Sequence, residues 1–307
     1  MWSIIRSLFS PLRITIPFLV DVIYISDPAQ IKKIEASGAV DRLHTYGTNA
    51  LPFWIKTFFQ ATRFCDIDRD LWFLSLESDW NPEIGQRYAN LKAQIDEGYT
   101  PEDVETIADL LEAKADDETL ARAMTQVVNR RFFGEDVPRP VTRAAQHTLQ
   151  KFPETLLPWK YFRARAAQKT IMKYCARTLD GRTHLVDIGH NIGETVQTTS
   201  IALRLLSANL DKPVEEIFTR RALTTKVPRI ATKPTRFGGL LLFPTVPGKT
   251  VLIFQIEKAA AKSGDILFTF GTGRDERACV FKDFFLRFMK DLQTVLRDGA
   301  PKTSANP

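Results

Sequence analysis

The sequence predicts a mainly α-helical protein with a small β portion near its C-terminal third. Three observations predict it. Apolar residues recur at three- and four-residue intervals through 100–132, 160–177 and 281–292, the period of helices with one buried face. From about Arg229 the texture changes: Gly238-Gly239, Leu240 to Phe243, Pro244, Pro247-Gly248 and Val251 to Ile256 read as short strands and turns. The chain has 307 residues, 44% hydrophobic and 25% charged, enough for one sizeable core and ordinary for a globular protein. It shows no internal repeat and no low-complexity tract. Residues 1–297 are expected to form a single domain, with 298–307 a polar, flexible tail.

The elements follow in order. Met1 to Val20 mixes Trp2, Ile4, Ile5, Leu8 and Phe9 with Arg6 and Arg13. It has no unbroken apolar span of membrane length and no cleavage site after an apolar core. It reads as a packed terminal segment, with a peripheral membrane contact as the most it would make. Ile14 to Ile25, rich in β-branched residues, reads as a strand ending at Asp27-Pro28, a turn and helix-start signal for a short helix over 28–37. Thr100-Pro101-Glu102-Asp103 is an N-cap, a proline at the first helical position and acids in the first turn, with Val104, Ile107, Leu110 and Leu111 on one face. Asp117 to Phe132 is a second helix and Gly134 its stop. Lys160 to Arg177 is a third, with Phe162, Ala166, Ile171 and Tyr174 as its apolar side. Its basic face reads as solvated surface, or as a docking face for an acidic electron donor. Phe281, Phe285, Phe288 and Leu292 make a stripe on the last helix that packs against the domain.

Net charge is +6, too mild and dispersed for nucleic acid, but suited to an acidic redox partner or an anionic membrane surface. Cys65, Cys175 and Cys279 are an odd number at wide spacing. They fit reduced thiols in a cytoplasmic protein, not a disulfide framework or a zinc site. Cys65 and Cys175 read as small buried hydrophobes. His44, His147, His184 and His190 make no metal-ligand spacing. No phosphate-binding glycine loop, Gly-x-Ser-x-Gly elbow or His-Glu-x-x-His motif is present.

Phe268-Thr269-Phe270-Gly271-Thr272-Gly273-Arg274-Asp275-Glu276-Arg277-Ala278-Cys279 carries the most chemistry. An aromatic run enters a Gly-x-Gly turn, then come a basic residue, a lone cysteine and an amphipathic helix. Backbone N–H groups, Arg277 and the positive end of the helix would stabilise a thiolate at Cys279. A thiolate is one of the few axial ligands that haem iron takes from a protein. Upstream, Glu194-Thr195 is an acid–alcohol pair ahead of a helical run, able to relay protons through water.

The cysteine segment resembles the ligand loop of the cytochrome P-450 family, Phe-Gly-x-Gly-x-Arg-x-Cys-x-Gly, with Phe270, Gly271, Gly273, Arg277 and Cys279 in place. Two extra residues lie between Gly273 and Arg277, and Phe281 stands where the family has a final glycine that lets the next helix come close. Glu194-Thr195 is similar to the Ala-Gly-x-Asp/Glu-Thr element of the family's central helix, with Asn191 and Ile192 in place of Ala-Gly. Val227-Pro228-Arg229-Ile230-Ala231-Thr232 resembles the segment whose arginine meets a haem propionate. The family's Glu-x-x-Arg reads here as Glu216-x-x-Thr219, with Arg220 one residue late, about 100° round the helix. Pro247-Gly248-Lys249-Thr250-Val251 is similar to a turn of the same family, with Lys249 beside the glycine.

The motifs come in the family's order in a shorter chain, with little room between Thr195 and Glu216 or between Ile256 and Phe268. The resemblance implies a reduced cytochrome P-450-like fold that binds haem (iron protoporphyrin). It makes Cys279 the metal ligand, places Phe270, Gly271, Gly273, Arg277 and Arg229 at the cofactor, and gives Glu194 and Thr195 the catalytic protons. The implied reaction is oxygen insertion into a small apolar substrate, with a ferredoxin- or flavoprotein-type electron donor, or with peroxide. The alternative it leaves open is a catalytically degenerate relative that binds and activates a partner.

Overall fold

Asp27 ends one element and begins the next. Its carboxylate accepts the Gln30 N–H at 3.0 Å, and Pro28 has no N–H to leave unpaired, so α1 (Pro28–Ala36) starts there. The computed structural model describes residues 12–16, 20–42, helical residues among 85–95, and 98–133, 136–148, 158–178, 198–223, 226–232, 234, 250–273 and 278–299. Gly134 lies outside them, as do the side chains of Cys65 and Cys175.

A five-stranded sheet flanks α1. Its strands are β1 (Leu12–Ile16), β2 (Val20–Ile25), β3 (Val40–Arg42), β4 (Val227–Ala231) and β5 (Val251–Phe254), in the order β1-β2-β5-β4-β3. Only β2 and β5 run parallel, Val22 opposite Val251; the other pairs are antiparallel. The stretch expected as one strand over Ile14 to Ile25 is two, paired with Leu12 opposite Tyr24. Pro17, which cannot donate to a ladder, falls between them in sequence.

The helices are α2 (Pro101–Glu112), α3 (Asp117–Phe133), α4 (Arg139–Thr148), α5 (Pro158–Thr178), α6 over 198–207, α7 (Val214–Arg220), α8 (Ile256–Ser263) and α9 (Lys282–Gly299). Thr100 caps α2 as its sequence foretold: its hydroxyl accepts the Asp103 N–H while Asp103 accepts the Thr100 N–H. The last helix runs to Gly299, two residues into the stretch read as tail.

Two expectations are corrected here. Ile256 was to close the last strand; β5 stops at Phe254 and Ile256 opens α8. The Gln255 N–H makes the final sheet-side bond, to the Ile25 carbonyl, and the alanine-rich run beyond it is a good helix former that Gly264 ends at φ +69°. Phe162 and Ala166 were to lie on the apolar side of α5, and both are exposed. The buried face is Ala164, Ala167, Ile171 and Tyr174. Phe162 is two residues from Ala164, about 200° round the helix, so the two cannot share a face.

Among the described residues the apolar interior has two centres. One lies at the sheet, with Ile23, Ile25, Ile31, Leu252, Phe254 and Phe268. The other lies among the helices, with Ile107, Leu120, Met124, Leu203, Phe218, Phe285, Phe288 and Leu292. Phe268 belongs to the first and Phe270 to the second, so a three-residue segment ties both centres together just ahead of the cysteine.

Candidate functional site

Cys279 is held by its backbone on both sides. Its N–H donates to the Phe270 carbonyl at 2.7 Å, closing the glycine loop, and its own carbonyl accepts the Lys282 N–H at 3.0 Å, opening α9. The side chain is exposed and forms no disulfide among the described residues. It is therefore not the small buried hydrophobe that a lone cysteine usually is. It stands three residues before Lys282, the first residue of α9.

The loop is fastened to three elements. The Thr269 hydroxyl is buried and donates to the Phe218 carbonyl of α7 at 2.8 Å. Phe285 of α9 meets Phe218 and Phe270 edge-on, with centroids 5.0 and 5.5 Å away. Phe268 is covered by Lys32 of α1, whose ammonium sits 5.5 Å from the ring centroid and 2.7 Å from Asp265. Gly273 has φ +82°, and a Cβ there would fall 2.7 Å from Lys32 Cε and 2.8 Å from Phe268 Cζ. Glycine is required at this point by conformation and by space. The close approach it makes is to Lys32 and Phe268, side chains of the chain itself.

Phe270 is buried in the helical core and Gly271 is half-buried in the turn. Phe281, expected to crowd the helix, packs edge-on against Phe284 in the first turn of α9. Arg229 lies on β4 and is buried; its Nε donates to Glu35 Oε1 at 2.6 Å. The carboxylate it meets is thus one of the chain's own. Glu216 and Arg220 pair at 2.8 Å along the exposed side of α7, while Thr219 between them is buried. An ion pair on that side cannot lock the interior, and Thr269 on the Phe218 carbonyl fastens α7 to the loop. Asp283, in the first turn of α9, is held below the usual carboxylate range, first by its bond to Lys92. Arg277, Glu194, Thr195, His190 and residues 247–249 lie outside the described residues. Among the described residues no group of three or more His, Cys, Asp and Glu could hold a metal.

Sequence reasoning missed Glu35, Thr269 and Lys32. Glu35 gives no local signal, since its partner is 194 residues away. Thr269 did give one: a hydroxyl between two core phenylalanines needs a buried acceptor.

No protein-family model matches the sequence, and no curated protein matches it. Solved structures do. A zebra fish cytochrome P-450 with progesterone aligns at TM-score 0.65 and 14% identity, over 96% of this chain and 90% of that one. The tirandamycin C-bound P-450 monooxygenase TamI aligns at TM-score 0.62 and 15% identity, over 97% and 88%. CYP164A2 of Mycobacterium smegmatis with econazole bound aligns at 0.60 and 14%, over 96% and 92%. The chain has the cytochrome P-450 fold. It is a divergent form, mainly α with one small sheet, as its sequence predicted. In this P-450-like fold the cysteine loop precedes α9, and its thiol is exposed, so residue type and access fit a ligand that haem iron accepts. No helix among the described residues is long and apolar enough to cross a membrane.

Proposed function

We propose that this protein is a haem-thiolate oxidoreductase whose Cys279 would hold the haem iron. The observation that carries the reading is an exposed thiol whose backbone is fixed by Phe270 on one side and by the start of α9 on the other. Haem held by a thiolate supplies activation of dioxygen or peroxide for oxygen insertion into a C–H bond.

The chain's own part is to hold and to move charge. The N-terminus of α9 favours the ionised sulfur, and Arg277 adds positive charge two residues before it. Phe270, Gly271 and Gly273 set the path of the loop on the cofactor side. Arg229, oriented by Glu35, and Arg277 are the cations offered to the propionates. Glu194 and Thr195 would hold and pass the protons that the reaction consumes. The substrate is a small apolar molecule, and electrons come from a ferredoxin- or flavoprotein-type donor or are replaced by peroxide.

A second reading is favoured by one observation. Glu216 and Arg220 face outward, so the internal Glu-x-x-Arg pair of the family is not made by these residues. A chain that kept the fold and lost catalysis would bind a partner instead. Titration of the apo chain with hemin, followed by Soret absorbance, separates the two. Saturation at a single equivalent, weakened in Cys279→Ala, is expected from the first reading. Absence of uptake by the unmodified chain leaves the second.

A further inference from the structure

We propose that the exposed face of α5 docks the protein on an anionic lipid surface. Trp159 and Phe162 are 66% and 69% exposed, and they are two of the three large hydrophobic side chains most open to water among the described residues. They sit three residues apart, on the same side of the helix. Arg163, Ala166, Lys169 and Lys173 continue that side and are exposed as well. Ala164, Ala167, Ile171 and Tyr174 hold the opposite side in the interior, where the Asn129 amide donates to the Tyr174 hydroxyl at 3.2 Å. The exposed face is therefore fixed outward and cannot turn its rings in.

The helix carries Lys160, Arg163, Arg165, Lys169, Lys173 and Arg177 and no acidic residue. The docking face draws on Arg163, Lys169 and Lys173 of these. From Trp159 to Lys173 the face runs for about 21 Å at the rise of an α-helix. Rings at one end and cations along the rest are what a membrane interface takes up. Aromatic rings seat at the boundary between headgroups and acyl chains, and Lys and Arg extend to the phosphates. An acidic protein would match the cations alone. It would need an apolar pocket for the two rings, and it would find no exposed acceptor side chain among Trp159, Phe162, Arg163, Ala166, Lys169 and Lys173. The observations favour lipid. The contact is a peripheral one and stands independently of the haem reading.

The test is sedimentation of the full chain with vesicles of phosphatidylcholine alone and of phosphatidylcholine with about one third phosphatidylserine. Binding is expected to the second kind and not to the first. A Lys169→Gln/Lys173→Gln variant is expected to bind about 25-fold more weakly, roughly fivefold for each charge lost near an anionic surface. Trp159→Ala/Phe162→Ala also loses affinity, and it keeps every cation. Lys258→Gln, an exposed base on α8, binds as the unmodified chain does. Unmodified protein that stays in solution with the anionic vesicles at low salt overturns the proposal, as do variants that sediment undiminished. Binding to immobilised polyglutamate but not to vesicles would assign the face to an acidic protein and overturn it too.

Discussion

Glu35 and Arg229 form a buried ion pair between α1 and β4, with Arg229 Nε 2.6 Å from Glu35 Oε1. The residues are 194 positions apart, and the pair joins α1 to a strand of the C-terminal third. Its site at the sheet makes it a fastener of the half of the molecule on which the cysteine loop rests.

Removing one member should therefore cost much more than removing both. Arg229→Met leaves the Glu35 carboxylate buried without this cation and is expected to destabilise by about 3–5 kcal/mol in urea unfolding. The double variant Glu35→Leu/Arg229→Met should recover most of that loss. Equal losses from the single and the double variant would remove the pair from the account.

Thr269→Val keeps shape and deletes the hydrogen bond to the Phe218 carbonyl. Leaving that buried acceptor unmet should cost about 1–3 kcal/mol. Amide exchange gives a sharper measure. Protection of the Cys279 N–H should fall with it, because the segment that accepts that bond loses its tie to α7.

Gly273→Ala meets two obstacles, a φ of +82° and the space taken by Lys32 and Phe268. A loss of roughly 1–3 kcal/mol is expected for the backbone alone. Adding Lys32→Ala removes one neighbour and leaves the backbone strain and the Phe268 ring. Chemical denaturation should thus show the double variant still well below the parent.

These three sites show where the sequence was legible. Capping signals such as Thr100 with Asp103, and Asp27 ahead of Pro28, act over three residues and could be read directly. The cysteine loop was legible for the same reason, since its glycine turn, its cysteine and its helix are contiguous. Apolar character alone does not place Phe162, because the angular position of Ala164, Ala167 and Ile171 decides the buried face. The Glu35–Arg229 pair could not be read, since nothing near Glu35 says that a strand almost two hundred residues on will reach it.

Tyr99 sets a pH dependence. Its hydroxyl donates to Asp291, and its ring meets Phe284 and Phe288 edge-on. Burial first, and then the Asp291 carboxylate, push its pKa well above the usual tyrosine value. The folded state thus holds the phenolic proton more tightly than the unfolded state does. Its contribution is complete below about pH 10, the unfolded value, and is lost as pH rises from there through the folded one. Thermal melting across the alkaline range should show this decline, and Tyr99→Phe should flatten it. A decline of the same slope in Tyr99→Phe would assign it to other groups.

The central claim is that Cys279 ligates haem iron. The most direct measurement is the carbon monoxide difference spectrum of the reduced protein, produced with ample haem precursor, beside Cys279→Ala. The account predicts the red-shifted Soret band of thiolate ligation, present in the parent and lost in the variant. Haem-loaded parent protein without that band, or a band that survives in Cys279→Ala, would contradict it.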